Sequence, residues 1–63
     1  MDRQQLLVTM EEGAQMLGCG RTAIYELVRR GEIESIKLGR SRRIPMAALT
    51  AFVERLRAEQ WEA

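Results

Sequence analysis

Nine residues in the middle of the chain carry hydroxyl, phenol or cationic groups at spacings that suit one task. Arg21, Thr22, Tyr25 and Arg29 recur at the spacing of neighbours on one helical face, and Lys37, Arg40, Ser41, Arg42 and Arg43 crowd into a short stretch after them. A guanidinium donates two parallel hydrogen bonds to a guanine edge or a phosphate, while a threonine or tyrosine touches a thymine methyl or a phosphate oxygen. Like charges this close repel unless a polyanion neutralises them. From Arg21 to Arg43 seven basic residues, Arg30 included, stand against Glu26, Glu32 and Glu34, a local excess of four positive charges in a chain whose net charge is only +1. In the rest of the chain Arg3, Arg55 and Arg57 are outnumbered by Asp2, Glu11, Glu12, Glu54, Glu59 and Glu62. A basic centre between acidic ends points to a polyanionic partner, and double-stranded DNA fits the pattern.

Other chemistries are poorly served. The chain has no histidine and a single cysteine, Cys19, which leaves no disulfide framework, no Cys/His metal site and no histidine-based catalysis within one chain. At 63 residues it buries only about 60% of the surface its unfolded form exposes, too little to enclose a deep substrate pocket. No carboxylate pair has persuasive spacing for acid–base work. We expect no enzyme, no cofactor, no metal and no small-molecule ligand. With 46% hydrophobic and 30% charged residues the composition is that of an ordinary globular domain. Neither a basic leader followed by an apolar run nor a membrane-length apolar stretch is present, so the expected location is the cytoplasm, away from membranes.

The elements that must position the nine residues follow from local pattern. Thr9-Met10-Glu11-Glu12 fits a capping box, which starts a first helix near Met10 with Ala14, Met16 and Leu17 as its apolar side and Gly18 as its end. Ile24, Leu27 and Val28 form the apolar stripe of a second helix from Arg21 to Arg30, stopped by Gly31. The three residues between these helices force a sharp turn, which is helix-turn-helix spacing. Ile36-Lys37-Leu38, a turn at Gly39-Arg40-Ser41 and Arg42-Arg43-Ile44 predict a basic hairpin, with Ile36, Leu38 and Ile44 resting on the helices. Pro45 is placed in the first turn of a third and longest helix, whose stripe is Leu49, Phe52, Val53 and Leu56. The expectation is one domain over residues 1–63 with an ordered core at about 6–58: a mainly α winged helix-turn-helix of three helices and a two-stranded wing. The first five and last few residues are expected to be loose.

Each candidate has a plainer alternative. Arg21 and Thr22 are also what a solvated first turn looks like, and Tyr25 could pack on the wing. Arg29 and Arg30 suit the negative end of a helix dipole as well as a phosphate; Arg29, on the face of Arg21 and Tyr25, is the better candidate for DNA. The wing cations could form a solvated turn, although the tip residue Arg40 is well placed for a minor groove or its phosphates. Cys19 reads as a small core side chain rather than a reactive thiol, and Met10, Met16 and Met46 as core or cap fillers. Trp61 lies beyond the apolar stripe, where folding back, meeting a neighbour and fraying are all open.

The run Leu6-Leu7-Val8-Thr9-Met10-Glu11-Glu12, then Met16-Leu17-Gly18-Cys19-Gly20-Arg21-Thr22-Ala23-Ile24-Tyr25-Glu26-Leu27-Val28-Arg29-Arg30-Gly31-Glu32-Ile33, resembles the excisionase-type DNA-binding domain, a relative of MerR-like winged helix-turn-helix domains. Lys37-Leu38-Gly39-Arg40, Arg43-Ile44-Pro45 and Leu49-Thr50-Ala51-Phe52 resemble its wing and final helix, so the likeness covers about Leu6 to Leu56. Two positions depart from the pattern. Gly20 stands where a serine is usual, at a cost of a few tenths of a kcal/mol in capping. Arg42 replaces a frequent aromatic residue, either adding a phosphate contact or tilting outward from a less packed wing root.

The resemblance implies a recombination directionality factor, which does no chemistry itself. Such proteins bind repeated sites, bend the DNA, assemble head to tail along it and assist an integrase in excising a prophage or integrated element. A small MerR-like transcription regulator would need the same recognition helix and wing. A protein-interaction module fits less well, because the outer face is cationic and polar rather than aromatic or aliphatic.

Overall fold

The computed structural model describes residues 5–61. The charges of Asp2, Arg3 and Glu62, and most of the chain ends expected to be loose, lie outside the described residues. The element order is β1 (Leu7–Thr9), α1 (Met10–Leu17), α2 (Arg21–Arg29), β2 (Ile36–Leu38), β3 (Ser41–Pro45) and α3 (Met46–Gln60), a mainly helical winged helix-turn-helix.

The capping box forms as its residues dictate. The Glu12 backbone N–H donates to Thr9 Oγ1 at 3.0 Å, and the Thr9 N–H donates to Glu12 Oε1 at 2.9 Å, so two of the helix's orphan donors are satisfied reciprocally. Gly18 ends α1 with φ at 75°, a left-handed backbone that glycine adopts without a Cβ clash. The next helix begins three residues later. As Gly20 implies, no side chain caps α2. That helix closes one residue before the expected end, with Arg30 as its cap.

The hairpin pairs Lys37 with Arg42 and Leu38 with Ser41 as antiparallel partners. It is not alone: Leu7–Thr9, for which the sequence pattern predicts no strand, forms β1 and pairs with the other edge of β3, giving a three-stranded sheet in the order β1-β3-β2. The register corrects the expected packing of the wing. Only Ile44 turns inward and is fully buried, while Ile36 and Leu38 are 39% and 54% exposed. Successive strand residues alternate faces. Ile36 and Leu38 face Arg43 and Ser41 across the ladder, and so lie on the side of the sheet opposite Ile44.

One cluster holds the elements together: Val8 from β1, Met10 and Ala14 from α1, Ile24 from α2, Ile33 from the connection to the wing, Ile44 from β3, and Leu49 and Phe52 from α3. Full burial of each large side chain contributes about 1.5–3 kcal/mol. Met16, expected on the apolar side of α1, is 55% exposed, and Val53 lies at the rim of the α3 stripe. Gly13 takes the inward position instead: a Cβ there would lie 3.0 Å from Ile44 Cδ1, so the missing side chain lets α1 approach the sheet. Pro45 is the N-cap of α3 and the last residue of β3, one position earlier than its expected place in the first turn. Arg55 ties α3 to the α2–β2 connection by donating to the Glu32 carbonyl at 3.1 Å while its guanidinium lies over the Phe52 ring.

Candidate nucleic-acid interface

The outer face of α2 presents Arg21, Thr22, Tyr25 and Arg29, all exposed. The Arg21 guanidinium carbon sits 5.6 Å from the Tyr25 ring centre, and Arg21 Nη1 lies 3.3 Å from Glu11 Oε2 on α1. The first arginine of the helix therefore lies beside a ring and a carboxylate while its side chain remains 67% exposed. Arg29 has a different setting. Its Nη2 donates to both carboxylate oxygens of Glu26, one turn earlier, at 2.6 Å, and this hydrogen bond holds Glu26 below the usual glutamate range and raises Arg29. Arg30 pairs with Glu32 at 3.0 Å.

The wing cations differ from those of α2 in lacking acidic partners. None of the five ion pairs among the described residues involves Lys37, Arg40, Arg42 or Arg43. Arg42, at the position where an aromatic residue is frequent, is exposed. Its Nη1 donates to Ser35 Oγ at 2.8 Å, which anchors the guanidinium near the root of the wing. Arg40 occupies the turn and Ser41 follows it, both exposed, while Arg43 is half-buried opposite Thr9 and Ile36.

A cleft of about 780 Å³ separates α2 from the wing, lined by Met10, Arg21, Thr22, Tyr25, Glu26, Val28, Arg29, Ser35 and Arg42. A smaller hollow of about 270 Å³ continues it past Thr9, Met10, Glu11, Tyr25 and Arg40 to Arg43. Eight of the nine sequence candidates thus border one continuous depression, with Tyr25 and Arg42 common to both parts; Lys37 lines neither. Unmarked by sequence reasoning were Glu11, Glu26 and Ser35. The first two were counted only as charge, and Ser35 lies in a connection with no periodic signal.

Elsewhere the described residues offer little chemistry. They contain no cluster of groups able to hold a metal, and no helix long and apolar enough to cross a membrane. Cys19 is half-buried against the core. Glu54 of α3 is paired with Arg57 at 3.1 Å, and Trp61 caps that helix with 79% of its surface exposed. A groove lined by Leu6, Met16 and Met46, among others, shares no residue with the cleft.

Residues 7–57 match the family described as "Helix-turn-helix domain". The chain is 52% identical over 56 residues to a "Probable excisionase" of Saccharopolyspora erythraea, covering 89% of this chain and 57% of that protein. It is 35% identical over 48 residues to an "Excisionase" of Streptomyces ambofaciens, with 76% of this chain and 77% of that one aligned. An uncharacterized protein of Mycobacterium tuberculosis is 27% identical over 60 residues, 53% of its length. The chain therefore spans little more than half of the first and last of these relatives. No solved structure matches it.

Proposed function

The chain belongs to the excisionase-type helix-turn-helix family, and from that premise we propose that it is a cytoplasmic, non-enzymatic DNA-binding protein that assists an integrase in excising an integrated element. The observation that carries this reading is the continuous depression between α2 and the wing, which brings one helix face and a row of unpaired cations to the same side of a small body. A helix enters the major groove of B-DNA while a hairpin beside it reaches the adjacent backbone or minor groove. Arg21 donates to a guanine edge, and Thr22 and Tyr25 contact a thymine methyl or a phosphate. Arg29, Lys37, Ser41, Arg42 and Arg43 hold phosphates, and Arg40 reaches the minor groove at the tip.

A single module of this kind buries only about 600–1,000 Å² on DNA, too little for one copy to pick a genomic site. Several copies bind repeated sites side by side, the wing edge of one meeting the α3 acids Glu54 and Glu59 of the next in a contact that does not close and so extends along the duplex. Exposed ion pairs contribute little in water, so this contact is weak without DNA. The combined load bends the duplex.

Selection of preferred duplexes from a randomised pool, followed by footprinting on attachment-region DNA of the same replicon, tests the reading. Repeated protected sites, filled cooperatively by a protein that sediments as a monomer when free, are expected. Failure to enrich any sequence, or a tight dimer that fills adjacent sites independently, would overturn it.

A further inference from the structure

An acid in the middle of a cationic cleft weakens the attraction for a polyanion, and Glu11 and Glu26 are two such acids among the described residues. Glu26 lies on α2 and neutralises Arg29 within the same helix. Glu11 does something different. It belongs to α1, in the turn fixed by the Thr9–Glu12 capping box, and its carboxylate crosses the interhelical turn to lie 3.3 Å from Arg21 Nη1. The Arg21 guanidinium carbon meanwhile lies over the Tyr25 ring, 5.6 Å from its centre.

We infer that Glu11 is a positioning residue for base recognition, which together with Tyr25 orients Arg21 so that its guanidinium serves one base pair rather than any nearby phosphate. The inference rests on the proposed role of Arg21 as the base-reading arginine. A guanidinium has five N–H donors in a rigid fork. With Nη1 turned to Glu11 and the guanidinium carbon over the Tyr25 ring, no hydrogen bond or ion pair among the described residues takes Nε or Nη2, and that edge can donate the bidentate pair that guanine O6 and N7 accept. Restricting the rotamers beforehand lowers the ordering cost on binding. The carboxylate also repels a phosphate that would otherwise capture Arg21 on a random sequence, so both effects widen the gap between preferred and random DNA.

Glu11→Asp and Glu11→Gln separate geometry from charge. The probes are the duplex enriched from a randomised pool by the unaltered protein and a random duplex of equal length, titrated with the same protein sample so that the affinity ratio is independent of the folded fraction. Glu11→Asp keeps the charge but falls short of Arg21. It should leave random affinity unchanged and weaken the enriched duplex about two- to fivefold, the range of an exposed ion pair. Glu11→Gln should tighten random DNA without tightening the enriched duplex to the same degree. An unaltered ratio in Glu11→Asp, or equal tightening on both duplexes in Glu11→Gln, overturns the inference. Arg21→Ala is the reference. If it retains the preference, the base-reading role fails and the inference with it; if it loses the preference while Glu11→Asp keeps it, only the role of Glu11 fails.

Discussion

Lys37 stands directly across the β2–β3 ladder from Arg42. Cross-strand neighbours of like charge destabilise a sheet by about 0.2–1 kcal/mol, so the wing carries a repulsion that a polyanion would relieve. Lys37→Glu should raise the melting temperature of the free protein, by an amount equivalent to about 0.5 kcal/mol, and weaken binding to random duplex. Thermal unfolding and a fluorescence titration check the two halves. A variant that lost stability would show that the pair does not repel.

Binding strength should come mostly from phosphates. With about four to six of them neutralised, the slope of log K against log salt is expected to be roughly −4 to −5. A titration series at increasing ionic strength reads it directly, and a slope near zero would remove the wing from the interface.

Arg40 and Arg21 should behave differently. Arg40→Ala is expected to weaken preferred and random duplexes alike, whereas Arg21→Ala should cost about 1–3 kcal/mol on the preferred duplex and relax selection at one base pair. Equal losses for both variants on both duplexes would contradict the division between tip and helix.

Much of this arrangement is legible in the sequence because its signals are local. The capping box at Thr9, the glycine stop after Leu17 and the Ile24-Leu27-Val28 stripe each depend on residues a few positions apart and lie where the pattern puts them, while the turn expected at Gly39-Arg40-Ser41 closes one residue early, Ser41 already belonging to β3. What escaped is non-local. Leu7–Thr9 becomes a strand only because β3 offers a free edge, and Gly13 matters only because Ile44 arrives from the second half of the chain. The inward and outward faces of Ile36 and Leu38 were misread for the same reason: a short alternating run does not say which phase meets the core. All nine candidate residues were visible as charge and hydroxyl spacing; of the acids beside two of the arginines, Glu26 stands at a readable helical spacing from Arg29 yet was counted only as charge, whereas the Glu11–Arg21 pair joins two helices and leaves no periodic trace.

Gly13→Ala should test the close approach of α1 to β3. The added methyl meets Ile44 Cδ1, and overpacking of about 1–3 kcal/mol outweighs the roughly 1 kcal/mol gained in helix propensity. Ile44→Val removes that same Cδ1 and alone should cost about 0.5–1.5 kcal/mol. The double variant should be more stable than the sum of the two losses predicts, as measured by urea unfolding. Strict additivity would mean that the two groups do not meet.

Acid should affect the Glu26–Arg29 pair only far from neutrality. Because the folded value of Glu26 is depressed, its contribution to stability is present above the unfolded glutamate pKa of about 4.3 and is lost as pH falls through the lower folded value. With no histidine in the chain, DNA affinity should be flat from about pH 5.5 to 7. In acid it should rise as Arg29 is released. A marked change across the neutral range would point to a titrating group outside the cleft.

The pairing of Val8 with Ile44 has a kinetic consequence. α1 and α2 can form from their own neighbours, and the β2–β3 hairpin needs only a short turn, but β1 meets β3 only after most of the chain has looped back on itself. Closing a long loop carries an entropy cost that local contacts do not share, and contacts of wide sequence separation slow folding. The wing should therefore acquire its final tilt relative to α2 late, when Val8 docks. Substitutions at Val8 would then speed unfolding more than they slow folding.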